Sequence, residues 1–148
     1  MFISLKRSLI TITSLAMLSL GAGSAMAGNT IILDQNGYGN GAGVAQQGDW
    51  NKGQIWQNHR KNSALLQQYG FGNITVIGQD GYKNNSRVHQ NGIDNIAGCA
   101  QMGSRNNCNI NQAGVGNAAA TIQVGHKHSS TINQSGTGNT AVVVQGDF

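Results

Sequence analysis

The sequence predicts an all-β solenoid, a stack of strand–arc–strand rungs preceded by a cleavable leader. Three observations carry that prediction. Glutamine recurs at a fixed spacing of 11 along almost the whole chain, inner and outer positions alternate with period two before each glutamine, and 148 residues that include 22 glycines contain no proline. A chain in which every backbone N–H must join a hydrogen-bond ladder has no place for proline, which lacks that donor.

The N-terminus reads as a targeting segment. Lys6 and Arg7 form a short positive region, residues from Leu9 to Leu20 are mostly apolar, and Ala25-Met26-Ala27 supplies a small-x-small cleavage pattern. Residues 1–27 therefore read as a secretory signal peptide, too short and wrongly flanked for a stable membrane span. Its removal leaves one repeat domain over 28–148 and lowers the formal charge from +4 to +2.

Within that domain the register glutamines are Gln35, Gln46, Gln57, Gln68, Gln79, Gln90, Gln101, Gln112, Gln123, Gln134 and Gln145. Glycine stands two residues after nine of these eleven; His59 and Asp147 are the exceptions. Asparagine stands five residues after, at Asn40, Asn51, Asn62, Asn73, Asn84, Asn95, Asn106, Asn117 and Asn139, with His128 as the exception. An 11-residue period also suits a helix, but glycine and asparagine in every unit disfavour one and mark turns. Each unit is then a strand of about six residues followed by a tight arc.

Two residues before the glutamines stand aliphatic or β-branched side chains such as Leu33, Ile55, Leu66, Ile77, Val88 and Ile110. Four residues before stand small ones such as Ala42, Ala64, Ser86, Ala97 and Ala119. The positions between them are mixed. Period two thus separates a regular inner face, which includes the glutamines, from an irregular outer one. Two strands and two arcs make a 22-residue rung, and five and a half rungs stack to roughly 26 Å at about 4.8 Å each. Identical amides then lie one above another and bond along the stack.

Repeat register runs from Asn29 to Gln145 with no atypical capping unit. Natural solenoids cover their terminal strands, and an open edge templates another chain. The expectation is end-to-end polymerisation.

The unit resembles the curlin repeat, S-x5-Q-x-G-x-G-N-x-A-x3-Q, of bacterial curli fibre subunits. Gln35-Asn36-Gly37-Tyr38-Gly39-Asn40-Gly41-Ala42 with Gln46, and Gln134-Ser135-Gly136-Thr137-Gly138-Asn139-Thr140-Ala141 with Gln145, follow it closely. Gln68 to Asn73 and Gln112 to Asn117 keep G-x-G-N. The resemblance implies export through the periplasm, passage through a curli-type secretion pore aided by periplasmic accessory proteins, and amyloid assembly at the cell surface for biofilm matrix and adhesion. It also implies that the inward Gln and Asn ladders carry assembly, alongside a second curlin subunit. A fibre-forming subunit is the first expectation. Glycine after almost every glutamine resembles the minor, nucleating subunit, which is the alternative.

Two further features stand outside this frame. Lys61, Lys83, Arg105 and Lys127 each follow a register glutamine by four and are spaced by 22, so they stack on one arc edge, near Arg60, His59, His126 and His128. The opposite edge is expected to carry Asp49, Asp94, Tyr69 and Phe71. The basic row reads either as gatekeeper charges that limit lateral aggregation or as a ribbon for extracellular DNA or acidic polysaccharide. Cys99 and Cys108, the only cysteines, both point inward and face each other across the core. An oxidising compartment favours a disulfide, whereas sheets about 10 Å apart exceed the usual Cα reach of one, so two buried thiols are the other reading.

Catalysis has little material. The acids are Asp34, Asp49, Asp80, Asp94 and Asp147, with no glutamate, and no triad, phosphate loop or zinc pattern appears. His126-Lys127-His128 lacks a ligand set, so neither a metal nor another cofactor is expected. A calcium-binding repeat would place Asp in every turn. A soluble solenoid binding ice, carbohydrate or an anionic polymer would need terminal caps and a regular outward ladder.

Overall fold

The computed structural model describes residues 9–10 and 28–147; the rest of the expected leader, and its cleavage site, lie outside the described residues. The strands are β1 (Leu9–Ile10), β2 (Thr30–Tyr38), β3 (Gly41–Asp49), β4 (Lys52–Arg60), β5 (Ser63–Phe71), β6 (Ile74–Tyr82), β7 (Asn85–Ile93), β8 (Ile96–Ser104), β9 (Asn107–Val115), β10 (Ala118–His126), β11 (Ser129–Thr137) and β12 (Thr140–Gly146). No helix occurs among the described residues. The strands fall into a seven-stranded sheet, β1-β2-β4-β6-β8-β10-β12, and a five-stranded sheet, β11-β9-β7-β5-β3. Apart from the antiparallel contact of β1 with β2, every pairing is parallel and offset by one rung, as in Gln35↔Gln57, Gln68↔Gln90 and Gln123↔Gln145. The chain is a β-solenoid.

The repeat pattern predicts strands of about six residues; apart from β1 and the shorter β12 they have nine. Glycine explains the difference. Gly92 keeps its place in the ladder opposite Gly114 at a φ of 137°, and a Cβ there would stand 1.9 Å from the Gly114 carbonyl oxygen. Glycine bends the strand here without leaving the ladder, as His59 does at a φ of 70° in the equivalent place, so pairing continues for three residues past every register glutamine but Gln145.

The arcs are two residues long. Their first residue is left-handed, either glycine or a side chain such as Lys61 (φ 57°), Lys83 (φ 55°) or Arg105 (φ 58°). Arc backbone joins the stack too: the Arg105 N–H donates to the Tyr82 carbonyl of the neighbouring rung at 2.9 Å.

Alternation holds along each strand. Ile55, Leu66, Ile77, Val88 and Ile110 are fully buried, with Ala64, Ala97 and Ala119 beside them. Each large aliphatic side chain contributes roughly 1.5–3 kcal/mol on leaving water. Because the residues four before the glutamines are mostly small, with Ile31 the exception, the two sheets approach closely there. Cys99 of β8 and Cys108 of β9 have Cα atoms 6.4 Å apart and are joined by a disulfide. The expected separation of about 10 Å belongs to sheets held apart by large side chains on both faces, and it does not apply at this pair.

Candidate functional site: the amide ladders and the open strand edges

A buried amide costs free energy unless both its hydrogens and its oxygen find partners. The register places each interior glutamine so that they do. In the seven-stranded sheet Gln35 donates to Gln57 (2.6 Å), Gln57 to Gln79 (2.7 Å), Gln79 to Gln101 (2.9 Å), Gln101 to Gln123 (2.9 Å) and Gln123 to Gln145 (2.8 Å), always Nε2 to Oε1. In the five-stranded sheet Gln46, Gln68, Gln90, Gln112 and Gln134 form the same chain at 2.5 to 2.9 Å. The second hydrogen crosses the core to a backbone carbonyl at the start of the facing strand, as from Gln90 to Ile74 at 3.1 Å and from Gln101 to Asn85 at 3.0 Å.

Thr75 and Ser86 occupy two of the small inner positions and join these ladders. Thr75 donates to Gln90 Oε1 at 2.7 Å, and Ser86 to Gln101 Oε1 at 2.9 Å. Sequence patterning classed both only as small.

The asparagines turn the corners. Asn73 Oδ1 accepts the backbone N–H of Asn95 at 3.1 Å, while Asn73 Nδ2 donates within its arc to Tyr69 (3.1 Å) and to the Gly92 carbonyl of the next rung (2.9 Å). Asn51, Asn62, Asn84, Asn95, Asn106 and Asn117 are buried in the same role. Asn40 and Asn139 lie at the less buried ends; Asn40 accepts from the Asn62 N–H and Asn139 donates to Asn117. Asn29 extends the ladder by one rung through the Asn51 N–H at 3.0 Å. His128 replaces asparagine conservatively, with its N–H on Asn106 and Nε2 3.1 Å from the Val124 carbonyl.

Every glutamine points its donors the same way, so the stack has a polarity with unlike ends. At the β3 end, Gln46 Oε1 is buried without a hydrogen-bond partner among the described residues. At the other end, Gln134 and Gln145 donate only to the Ala118 and Ser129 carbonyls, at 3.0 Å each, and each keeps one N–H unused among the described residues. The outer edges of β3, β11 and β12 carry no neighbouring strand among the described residues, and β2 carries only the two-residue β1.

Lys61, Lys83, Arg105 and Lys127 stand at the first arc position between the seven- and five-stranded sheets, all at positive φ. Tyr82 stacks among them, with the Arg60 guanidinium 5.4 Å and the Lys83 ammonium 5.1 Å from its ring centroid. A hydrogen bond from Lys83, aided by the charges of Lys83, Lys61 and Arg105, holds the Tyr82 phenol below its ordinary value. The row is not purely basic. Asp80 meets His59 at 2.5 Å and Asp147 meets His128 at 3.1 Å, so acids that the repeat count left unplaced temper this edge. Tyr69, expected on the opposite edge, stands one residue after Gln68 on the outer face of the five-stranded sheet. Its ring lies 5.5 Å from that of His89.

No family model matches the chain, and no curated protein matches it.

Proposed function

We propose that the chain is a structural subunit of an extracellular, curli-like amyloid fibre, growing head to tail through its open strand edges. The observation that carries this reading is the mismatch at the two ends of the ladder. Among the described residues, a buried acceptor without a donor at one end, Gln46 Oε1, matches donors with an unused hydrogen at the other, Gln134 and Gln145. A second copy stacked in register supplies what each end lacks. Cleavage of residues 1–27 removes β1 and frees the β2 edge, so the leader also withholds an edge until export.

Interior rungs support the same reading. They satisfy amides, arcs and apolar side chains alike, so each added copy turns an under-satisfied end into interior. Secretion, a role in biofilm matrix and adhesion, and the partnership with a second subunit and a secretion pore rest on the curlin resemblance of the repeat.

The test is thioflavin-T fluorescence of freshly desalted residues 28–148, alone and seeded with sonicated product. Growth after a lag that seeds abolish supports a self-templating fibre subunit. Growth without any lag points to the nucleating subunit. A persistently soluble β-rich monomer refutes the fibre reading.

A further inference from the structure

The two outer faces of the solenoid differ in a way the repeat does not require. On the five-stranded sheet the outward row before the glutamines runs Gln67, His89, Asn111 and Asn133, and the next row carries Leu65, Arg87, Asn109 and Thr131; its exposed apolar residues, Phe71, Ile93 and Val115, are confined to the strand ends. On the seven-stranded sheet the corresponding rows expose Trp56, Ile122 and Val144, and Ile32, Val76 and Val142. Ile74, Ile96, Met102 and Val124 are exposed along the flanks of those rows. Val142 and Val144 are 64% and 63% exposed. From Ile74 to Gly146 this face carries one charge, Asp80, and that carboxylate is paired with His59 at the rim.

The face also has relief. Gly78, Gly98 and Ala100 form a shallow trough between a ridge at Trp56 and Val76 and a ridge at Ile122, Val142 and Val144. Neither glycine has the positive φ that would demand glycine, and a Cβ added at either would meet nothing within 4 Å. Glycine weakens a strand interior and often marks close approach by another backbone, yet nothing inside the subunit approaches here. The trough answers to something outside it.

We infer that this apolar face docks against the same face of a second copy, side by side, with the ridges of one seated in the trough of the other. Parallel sheets are ordinarily covered on both faces, and three features select a copy as the cover. Six strands at about 4.8 Å and six residue steps at about 3.3 Å give roughly 600 Å² per subunit, so the pair buries about 1,200 Å², enough for a specific interface. Over all six strands the outward charges are Asp34, Lys52, Arg60 and Asp80, two of each sign, so the face has no net charge to repel a like face, whereas the opposite outer face carries Arg87 and His89. A second solenoid also repeats at the same strand spacing, so its ridges stay in step along the whole length and form a dry, interdigitated seam. Inside a fibre this is a lateral contact and rests on the fibre reading for its length only, because the pairing belongs to each subunit.

The experiment uses the leader-free protein with Trp50→Phe, which leaves Trp56 as the single tryptophan. Trp56 emission and acrylamide quenching are compared with those of two added variants. Ile122→Lys/Val144→Lys places charge on the ridge. Gly98→Val fills the trough with a side chain that the isolated subunit accommodates. Protection of Trp56 at least about threefold greater than in both variants, together with loss of lateral association of their fibres in electron micrographs, is expected from two sheets packing without water between them. Equal quenching in all three proteins overturns the pairing while leaving the fibre intact. If no fibre forms, the fibre reading fails, and light scattering decides the pairing: a soluble dimer that Gly98→Val splits upholds it, and a monomer overturns it.

Discussion

Gln90→Leu separates a ladder that holds the subunit together from one that merely decorates it. Gln90 Oε1 accepts from Gln68 (2.9 Å) and Thr75 (2.7 Å), and its Nε2 donates to Ile74 (3.1 Å) and Gln112 (2.9 Å). Leucine fills a similar volume but bonds with none of them. Gln68 keeps acceptors in the Lys52 and Asn73 carbonyls, so the stranded groups are the Thr75 hydroxyl and Gln112 Oε1. Two buried polar groups left unpaired cost roughly 1–3 kcal/mol each, and the added apolar burial returns about 1–2 kcal/mol. The net penalty is about 2 kcal/mol. If folding accompanies addition to a fibre end, as the proposed function implies, the soluble concentration remaining after seeded growth rises on the order of 30-fold, at 1.4 kcal/mol per tenfold. Gln46→Leu is the control: it removes one orphan, Gln46 Oε1, and creates another, Gln68 Oε1. Inside the subunit the two nearly cancel, and the loss falls on the contact with the next copy, worth about 1 kcal/mol, or roughly fivefold. A Gln90→Leu protein within twofold of the parent would refute the view that amide satisfaction holds the core.

Other consequences follow from single positions. Gly92→Ala sets a Cβ 1.9 Å from the Gly114 carbonyl oxygen at a φ of 137°, so it should break pairing of β7 with β9 and abolish seeded growth, read by thioflavin-T. The Cys99–Cys108 disulfide spans a sequence separation of 9; closing so short a loop in the unfolded chain stabilises by about 2.7 kcal/mol in the chain-entropy account. Mass spectrometry should find no alkylable thiol without reductant, and Cys99→Ala/Cys108→Ala should lower the guanidinium concentration that dissolves fibres. Tyr82 should ionise below its ordinary value of 10.0 and move back up in Lys83→Gln, followed by ultraviolet difference absorbance. The sign is that of an acid with a depressed folded value. Its contribution is complete above the unfolded pKa and vanishes as pH falls through the folded one, so Tyr82 adds nothing to stability at neutral pH. Finally, if the basic row binds extracellular DNA, replacing Lys61, Lys83, Arg105 and Lys127 together with glutamine should weaken binding and flatten its dependence on salt. Unchanged binding in a salt titration leaves those side chains only a gatekeeping role.

The fold was legible because its determinants repeat. Period 11 in glutamine, period two before it and glycine two residues after it each fix one coordinate of the rung, and the units agree with few exceptions, such as His59 and Asp147 at the glycine position. The length of the strands was not legible, because glycine reads as a turn wherever it stands, whereas Gly92 and its equivalents bend a strand without ending it. The disulfide was left open for a related reason. Sheet separation depends on residue size at one inner position, and general spacing rules do not contain it. The hydroxyls of Thr75 and Ser86 carried no signal because only three of the eleven units, with Ser130, have a hydroxyl at that inner position. The apolar outer face was hidden by pooling both sheets: taken together the outer positions look irregular, and only sorting alternate units into separate sheets divides Trp56, Ile122 and Val144 from Gln67, His89 and Asn133.

The composition of the core bears on why such a chain would polymerise. Among the described residues the buried side chains include eleven apolar ones and eighteen polar ones. A globular core with that balance would strand many amides, because an isolated glutamine has no reason to meet another at the right height and angle. Translation by one strand spacing removes the difficulty, since every amide meets its own copy in its own orientation. The arrangement fails only where translation stops. Leu33, Val44, Ala141 and Val143 are partly exposed at the ends, whereas Ile55, Leu66, Ile77, Val88 and Ile110 inside are fully buried. The penalty at the two ends is fixed, and the gain from interior rungs grows with length. On the proposed fibre reading a longer stack therefore strands fewer groups per subunit than a shorter one, and a second copy lengthens it without altering a single residue.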